Sequence, residues 1–254
     1  LRYRVVTSFG PAGWELYGEN FVKSYYRYWP SEIPLICAWE GQAPARHING
    51  FDLLECEPAR AFIERHKDDP RISGKAEHPN WPWGQKWIKK GYNYKFDALK
   101  FARKVFAIGA ASRYMEQGKL FWIDADVRTH ADVPAQLLEA LLPDSASVCY
   151  LPRENWQHSE CGFVGFNLDR IEARAFLTEF EDMYATDRFI TECPCWHDSF
   201  VFDWLMEKRK PAACHIHNTS IAQPFDHSIL GRYMTHLKGA RKTGREGWKH
   251  NTAA

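Results

Sequence analysis

Leu120, Phe121, Trp122 and Ile123 form a run without a polar residue, and the run ends on two carboxylates, Asp124 and Asp126. A strand that faces water on one side alternates apolar with polar residues. This run does not alternate, so both of its faces must be buried, which calls for a sheet covered by helices on both sides. The flanking sequence supplies them. Phe96, Leu99, Ala102 and Phe106 recur at three- and four-residue steps and give a helix one apolar face, with Asp97, Lys100 and Lys104 on another and Arg103 beside them. Residues 3–9 and 33–39 are β-rich, and 51–55 offer a further strand. Helices are expected over 15–29, stopped by Pro30, and over 58–66, with Pro58 in the first turn. Downstream, 133–142 read as helix, 147–151 and 161–168 as strands, and 171–184 and 198–208 as helices. This alternation predicts an α/β fold with a mostly parallel central sheet flanked by helices. Asp124 would then sit at the carboxyl end of a middle strand, where open α/β sheets bind ligands.

With 254 residues, the chain is expected to form a single domain over 1–254, with an irregular loop at 68–93 and a basic, Gly-rich tail at 238–254. The loop is rich in Trp, Lys, Pro and Gly, which suits a functional loop better than a linker. A net charge of +1 excludes a uniformly basic nucleic-acid binder but leaves room for local patches. No apolar run approaches the roughly 18–20 residues that span a bilayer, and no signal-peptide pattern opens the sequence, so a soluble cytoplasmic protein is expected. The seven cysteines are an odd number without framework spacing and are expected to be reduced thiols. The densest group is Cys193-Pro-Cys195-Trp-His197, followed by Cys214-His215-Ile-His217. Zinc could be built from it, but a one-residue gap between cysteines is not the usual knuckle.

Two carboxylates one residue apart in a turn can converge on a hard divalent cation and leave its other positions to water and phosphate oxygens. Alone, such a pair serves equally well as a helix cap or a solvated loop. Three further features follow the same order as in a known family. Phe101-Ala-Arg103 lies on the helix upstream of the aspartates, Phe163-Val-Gly-Phe-Asn167 forms a later strand with Asp198 beyond it, and His236-Leu-Lys-Gly239-Ala-Arg-Lys242 closes the series. Over residues 94–243 the chain thereby resembles the glycogenin-like retaining glycosyltransferases of GT-A fold. The resemblance implies that Asp124, Asp126 and His236 hold Mn²⁺ (or Mg²⁺), that Gly239 and Lys242 hold the donor diphosphate, and that Arg103 and Asp124 contact the donor. Asp198 is implied to lie near the reacting carbon, in a catalytic role. An imidazole beside two carboxylates suits Mn²⁺ better than Mg²⁺. The chain departs from the family at Ser199, where Gln is usual, and lacks a Pro-Trp after Lys242. Residues 1–92 do not align. Thr7 and Ser8 are assigned to the donor by position alone.

The function expected is metal-dependent transfer of a sugar, with retention, from a nucleoside diphosphate sugar to a hydroxyl; a UDP-sugar is the expected donor. The acceptor is read as a hydroxymethylated pyrimidine in DNA, because YKFDALKFARKVFAI, the aspartate pair and HLKGARK are together similar to phage DNA base-modifying glycosyltransferases. Trp83, Trp87, Lys89 and Lys90 would then contact the acceptor, and the basic tail would clamp its phosphates. A saccharide or lipid-linked glycan is the alternative acceptor. A two-metal phosphotransferase or nuclease would need further carboxylates, and a non-catalytic nucleic-acid-binding domain leaves the aspartates and His236 without a purpose. His158 and Glu160 read as surface hydrogen-bonding residues. Removing Asp126 is expected to leave the metal-free protein as stable or more so, through relief of like charges.

Overall fold

The computed structural model describes residues 2–44, 48–82, 89–153, 158–217 and 224–238. In chain order the elements are β1 (Tyr3–Phe9), α1 (Pro11–Gly13) running through a π-helical turn into α2 (Glu19–Tyr28), β2 (Leu35–Trp39), β3 (Gly50–Asp52), α3 (Glu57–His66) and α4 (Ala98–Arg113). They continue as β4 (Lys119–Ile123), β5 (Val127–Thr129), α5 (Ala135–Leu141), β6 (Val148–Leu151), β7 (Glu160–Asn167), α6 (Ile171–Ala185), α7 (Arg188–Glu192), α8 (Asp198–Arg209), β8 (Ala213–His215), α9 (Pro224–His227) and β9 (Met234–His236).

The uninterrupted apolar run becomes β4, buried at every position and fourth in a seven-stranded sheet of order β3-β2-β1-β4-β7-β6-β8. Two apolar layers cover that sheet. One draws on Phe62, Phe106, Phe176 and Val201 from α3, α4, α6 and α8. The other draws on Phe21, Tyr25, Leu138 and Phe225 from α2, α5 and α9. Four strand pairings are parallel, namely β1 with β2, β1 with β4, β2 with β3, and β6 with β8. β7 alone runs against its neighbours β4 and β6. That reversal pairs Phe163, the fourth residue of β7, with Ile123 at the end of β4. Residues 160–162 therefore come to the edge where Asp124 emerges.

Helix α4 starts at an Asp97 cap, whose carboxylate accepts from the Lys100 backbone N–H at 3.0 Å. It packs against β1, α3, α6 and α8, so it is covered on more than its apolar stripe. Lys104, on the face it shares with Asp97 and Lys100, is accordingly buried. Within 68–93, the described residues make turns and isolated bridges. Gly74, at φ +65°, anchors them, since a Cβ there would come within 2.4 Å of the Asn93 carbonyl oxygen.

A second, two-stranded sheet pairs β5 with β9, with Val127 opposite His236. Neither short strand was evident in the sequence. No helix among the described residues is long and apolar enough to cross a membrane. The cysteines are all free thiols.

Candidate metal and donor site at the end of β4

Beyond Ile123 the chain turns, with the Val127 N–H donating to the Asp124 carbonyl at 2.9 Å and the Asp124 N–H to the Gly162 carbonyl at 3.0 Å. Asp124 is thus fixed by backbone bonds before any side chain acts. The Trp122 indole N–H donates to Asp124 Oδ1 at 2.6 Å and sets that carboxylate's rotamer. The β5–β9 pairing, continued by a 2.9 Å bond from the Leu237 N–H to the Asp126 carbonyl, brings His236 alongside. Its Nε2 lies 2.9 Å from Asp126 Oδ1 and 3.6 Å from Asp124 Oδ2. One ligand atom from each of the three residues falls within 4.8 Å of the others.

Behind the imidazole stands Glu160, buried, with Oε1 3.3 Å from His236 Nδ1. Its other oxygen takes Arg153 and Lys238. The expected surface role for Glu160 is therefore corrected, because β7 carries it inward at the mouth of the sheet. A carboxylate on the far nitrogen of a ligating histidine fixes its tautomer and orientation. Burial acts to raise the Glu160 pKa, but His236, Lys238 and Arg153 outweigh it and hold the carboxyl well below the usual range. Burial likewise acts to lower the His236 pKa, but hydrogen bonds to Asp126 and Glu160, and the field of Asp124, raise it to about 9. The carboxylates thus draw a positive charge to this point, and without an ion the imidazolium supplies it.

Two carboxylates and one imidazole, supported from behind and buried on one side, form a donor set that fits Mn²⁺. Gly162 makes room for it. A Cβ at that position would lie 2.7 Å from the His236 ring. Gly162→Ala is accordingly expected to push the imidazole off its position and weaken Mn²⁺ binding about 10–100-fold, measured by titration calorimetry. An unchanged affinity would show that His236 is not a ligand.

Lys104 is the residue the sequence left unassigned. Its ammonium lies 3.0 Å from Asp124 Oδ1 and 2.8 Å from Asp198 Oδ2, and donates to the Cys161 carbonyl. Burial acts to lower its pKa, but the two carboxylates outweigh that and raise it, so the side chain stays charged. Asp198 is raised by its own burial, against the pull of Lys104. The only sequence signal was position: Lys104 lies two residues after Ala102 on the helix that leads into the aspartate strand.

Arg103, assigned to the donor, makes an ion pair of 2.9 Å with Glu40 beyond the end of β2 and donates to the Leu99 carbonyl at 2.7 Å. The contact with Asp124 is made by its neighbour Lys104 instead. Thr7 is wholly buried within β1, paired in register with Cys37, and its hydroxyl has no hydrogen-bond partner. Ser8 is half-buried beside it. Lys89 and Lys90 are exposed on a turn. Trp83, Trp87, Gly239 and Lys242 lie outside the described residues.

No protein-family model matches the chain, and no curated protein matches it by sequence. Comparison with solved structures gives the fold. The chain is similar to mouse xyloside xylosyltransferase 1 at 10% identity and a TM-score of 0.50, covering 84% of each chain. It is similar to a glycosyltransferase involved in glycosylation of the major capsid of PBCV-1 at 11% identity and a TM-score of 0.50, covering 94% of this chain and 96% of that one. It also matches the glycosyltransferase GlyE of Streptococcus pneumoniae TIGR4 at 12% identity and a TM-score of 0.51, over 96% of this chain and 56% of that one. The architecture is that of the GT-A glycosyltransferases: a mixed α/β sheet between helical layers.

Proposed function

We propose that the chain is a metal-dependent glycosyltransferase that moves a sugar from a nucleoside diphosphate donor, with a UDP-sugar as the expected one, to a hydroxyl. The observation that carries this reading is the convergence of Asp124, Asp126 and His236 at the carboxyl end of the central strand of a GT-A-type sheet. Asp124, Asp126 and His236 would hold Mn²⁺, which when bound neutralises charge developing on the leaving diphosphate. Glu160 holds the His236 ring by its far nitrogen, and Trp122 holds Asp124. Lys104 supplies a fixed positive charge within the site and orients Asp198. In the reaction, the bond from the anomeric carbon to the diphosphate oxygen breaks and its electron pair leaves with the nucleoside diphosphate. A bond from that carbon to the acceptor oxygen forms, and the acceptor's hydroxyl proton passes to the departing diphosphate or to solvent. Asp198, held by Lys104, would face the anomeric centre or the acceptor hydroxyl. Retention of configuration is carried over from the family resemblance.

The test is incubation with Mn²⁺ and a panel of nucleotide sugars, reading release of the nucleoside diphosphate with and without acceptor. Absence of turnover for every donor, with Mn²⁺ bound, would overturn the reading.

For the acceptor, the reading from sequence is a hydroxymethylated pyrimidine in DNA. Lys89 and Lys90, the residues that would reach its phosphates, are exposed. Replacing both by Ala is expected to weaken binding to plain and hydroxymethylated duplexes equally, because phosphate contacts carry no base information. The salt dependence should flatten by roughly 0.9 in log–log slope for each phosphate that is no longer neutralised. Fluorescence anisotropy at two salt concentrations measures both effects. If neither duplex binds at low salt while a free saccharide accepts sugar, the acceptor is a glycan.

A further inference from the structure

We infer that the chain carries a second metal site, for a thiophilic divalent ion such as Zn²⁺, formed by Cys195, His197 and His158. It shares no residue with the aspartate site and does not depend on the sugar-transfer reading. Each of the three residues offers a ligand atom within 4.8 Å of the other two. The edges of a zinc tetrahedron with one Zn–S of about 2.3 Å and two Zn–N of about 2.0 Å are about 3.3–3.5 Å, so small side-chain rotations close the set.

Each ligand has independent support. His197 is 5% exposed and its Nε2 is buried without a hydrogen-bond partner. An orphaned ring nitrogen at that depth costs free energy unless something occupies it. As placed, its Nδ1 accepts from the Phe200 N–H at 3.3 Å, which leaves the proton on Nε2. Binding a metal through Nε2 moves that proton to Nδ1, and the Phe200 N–H keeps its second acceptor, the His197 carbonyl at 3.1 Å. His158 has Nδ1 3.5 Å from Asp203 Oδ2, and the same oxygen accepts from the Ser159 N–H at 2.9 Å. A carboxylate behind the far nitrogen of an imidazole is the usual support of a zinc-bound histidine. Cys195 is a buried free thiol, and a soft thiolate favours Zn²⁺ over Mn²⁺.

The fold corrects the ligand set that spacing suggests. Cys193 is not in the cluster. Cys195 and His197 both come from the link between α7 and α8, while His158 comes from just before β7. An ion here would tie that link to the sheet one residue before Asp198, which begins α8. It would hold the Asp198 carboxylate against Lys104, and the remaining tetrahedral position would be open to water or a hydroxyl.

Co²⁺ is the probe, added to the full-length, metal-stripped protein. The expected result is a thiolate-to-cobalt charge-transfer absorption that saturates at about one ion per chain and is displaced by Zn²⁺. It should persist in Asp126→Asn and Cys193→Ser and vanish in Cys195→Ser, while His158→Ala should lower Zn²⁺ affinity at least about tenfold. No thiolate band in the wild-type protein at saturating Co²⁺ would overturn the inference, whether or not the variants fold. So would a band that survives Cys195→Ser.

Discussion

Asp126→Ala is expected to reduce Mn²⁺ binding and sugar transfer to background and to destabilise the metal-free protein, which reverses the expectation from the sequence alone. Two adjacent aspartates suggest repulsion, so removing one should help. The structure instead shows Asp126 Oδ1 2.9 Å from the buried His236 imidazole, whose pKa is raised to about 9. A histidine pKa raised in the folded state contributes stability that is fully present below the unfolded value of about 6.5 and is lost as pH rises through the folded value. At neutral pH that contribution is up to about 2–3 kcal/mol, shared between Asp126 and Glu160. Urea unfolding with chelator at pH 6.5, 8 and 9.5 should therefore show the deficit of Asp126→Ala largest at pH 6.5 and smallest at pH 9.5. A variant as stable as the wild type at pH 6.5 would show that the His236–Asp126 pair does not form. Retained transfer would remove Asp126 from the metal site.

Lys104→Met should cost more. The substitution keeps the length of the side chain and removes its charge, leaving Asp124 and the buried Asp198 without their shared counter-ion. Breaking a buried pair from one side typically costs about 3–5 kcal/mol. Burial already raises the Asp198 pKa, so its protonation limits the loss at low pH and the deficit should grow as pH rises. Transfer should fall with it even where the variant is folded, since a neutral residue cannot stabilise developing negative charge. Lys104→Arg keeps the charge but puts a planar fork where a point charge bridges two carboxylates, and should recover stability better than activity. Wild-type stability in Lys104→Met at pH 8 would mean that Asp198 is not ionised there.

Much of the site was legible because its chemistry is local. The run of Leu120 to Ile123 reads as a strand buried on both faces, and a strand so buried lies in the middle of a covered sheet. Its end is where ligands bind in such folds, so Asp124 and Asp126 could be placed from sequence alone. The pairing of these aspartates with His236 was also legible, but through the order of motifs and not through any local pattern. What brings His236 to the aspartates is the β5–β9 ribbon, two strands of three residues each, too short to leave a periodic signal.

Glu160 was misread, and Lys104 left unassigned, for a related reason. Each carries a formal charge, and a charge is ordinarily solvated unless a partner is present. The partners of Lys104 lie on two other elements, Asp124 at the end of β4 and Asp198 at the start of α8, and those of Glu160 include His236 and Lys238 from the end of β9 and just past it. The same holds for Cys195, His197 and His158, where spacing pointed to Cys193. The sequence by itself determined the layered α/β plan and the position of the aspartate pair, because hydrophobic burial and strand period act along the chain. The tertiary structure alone decided the reversed direction of β7, the burial of Lys104 and Glu160, and which side chains meet, because these depend on charges and strand edges brought together across dozens of residues.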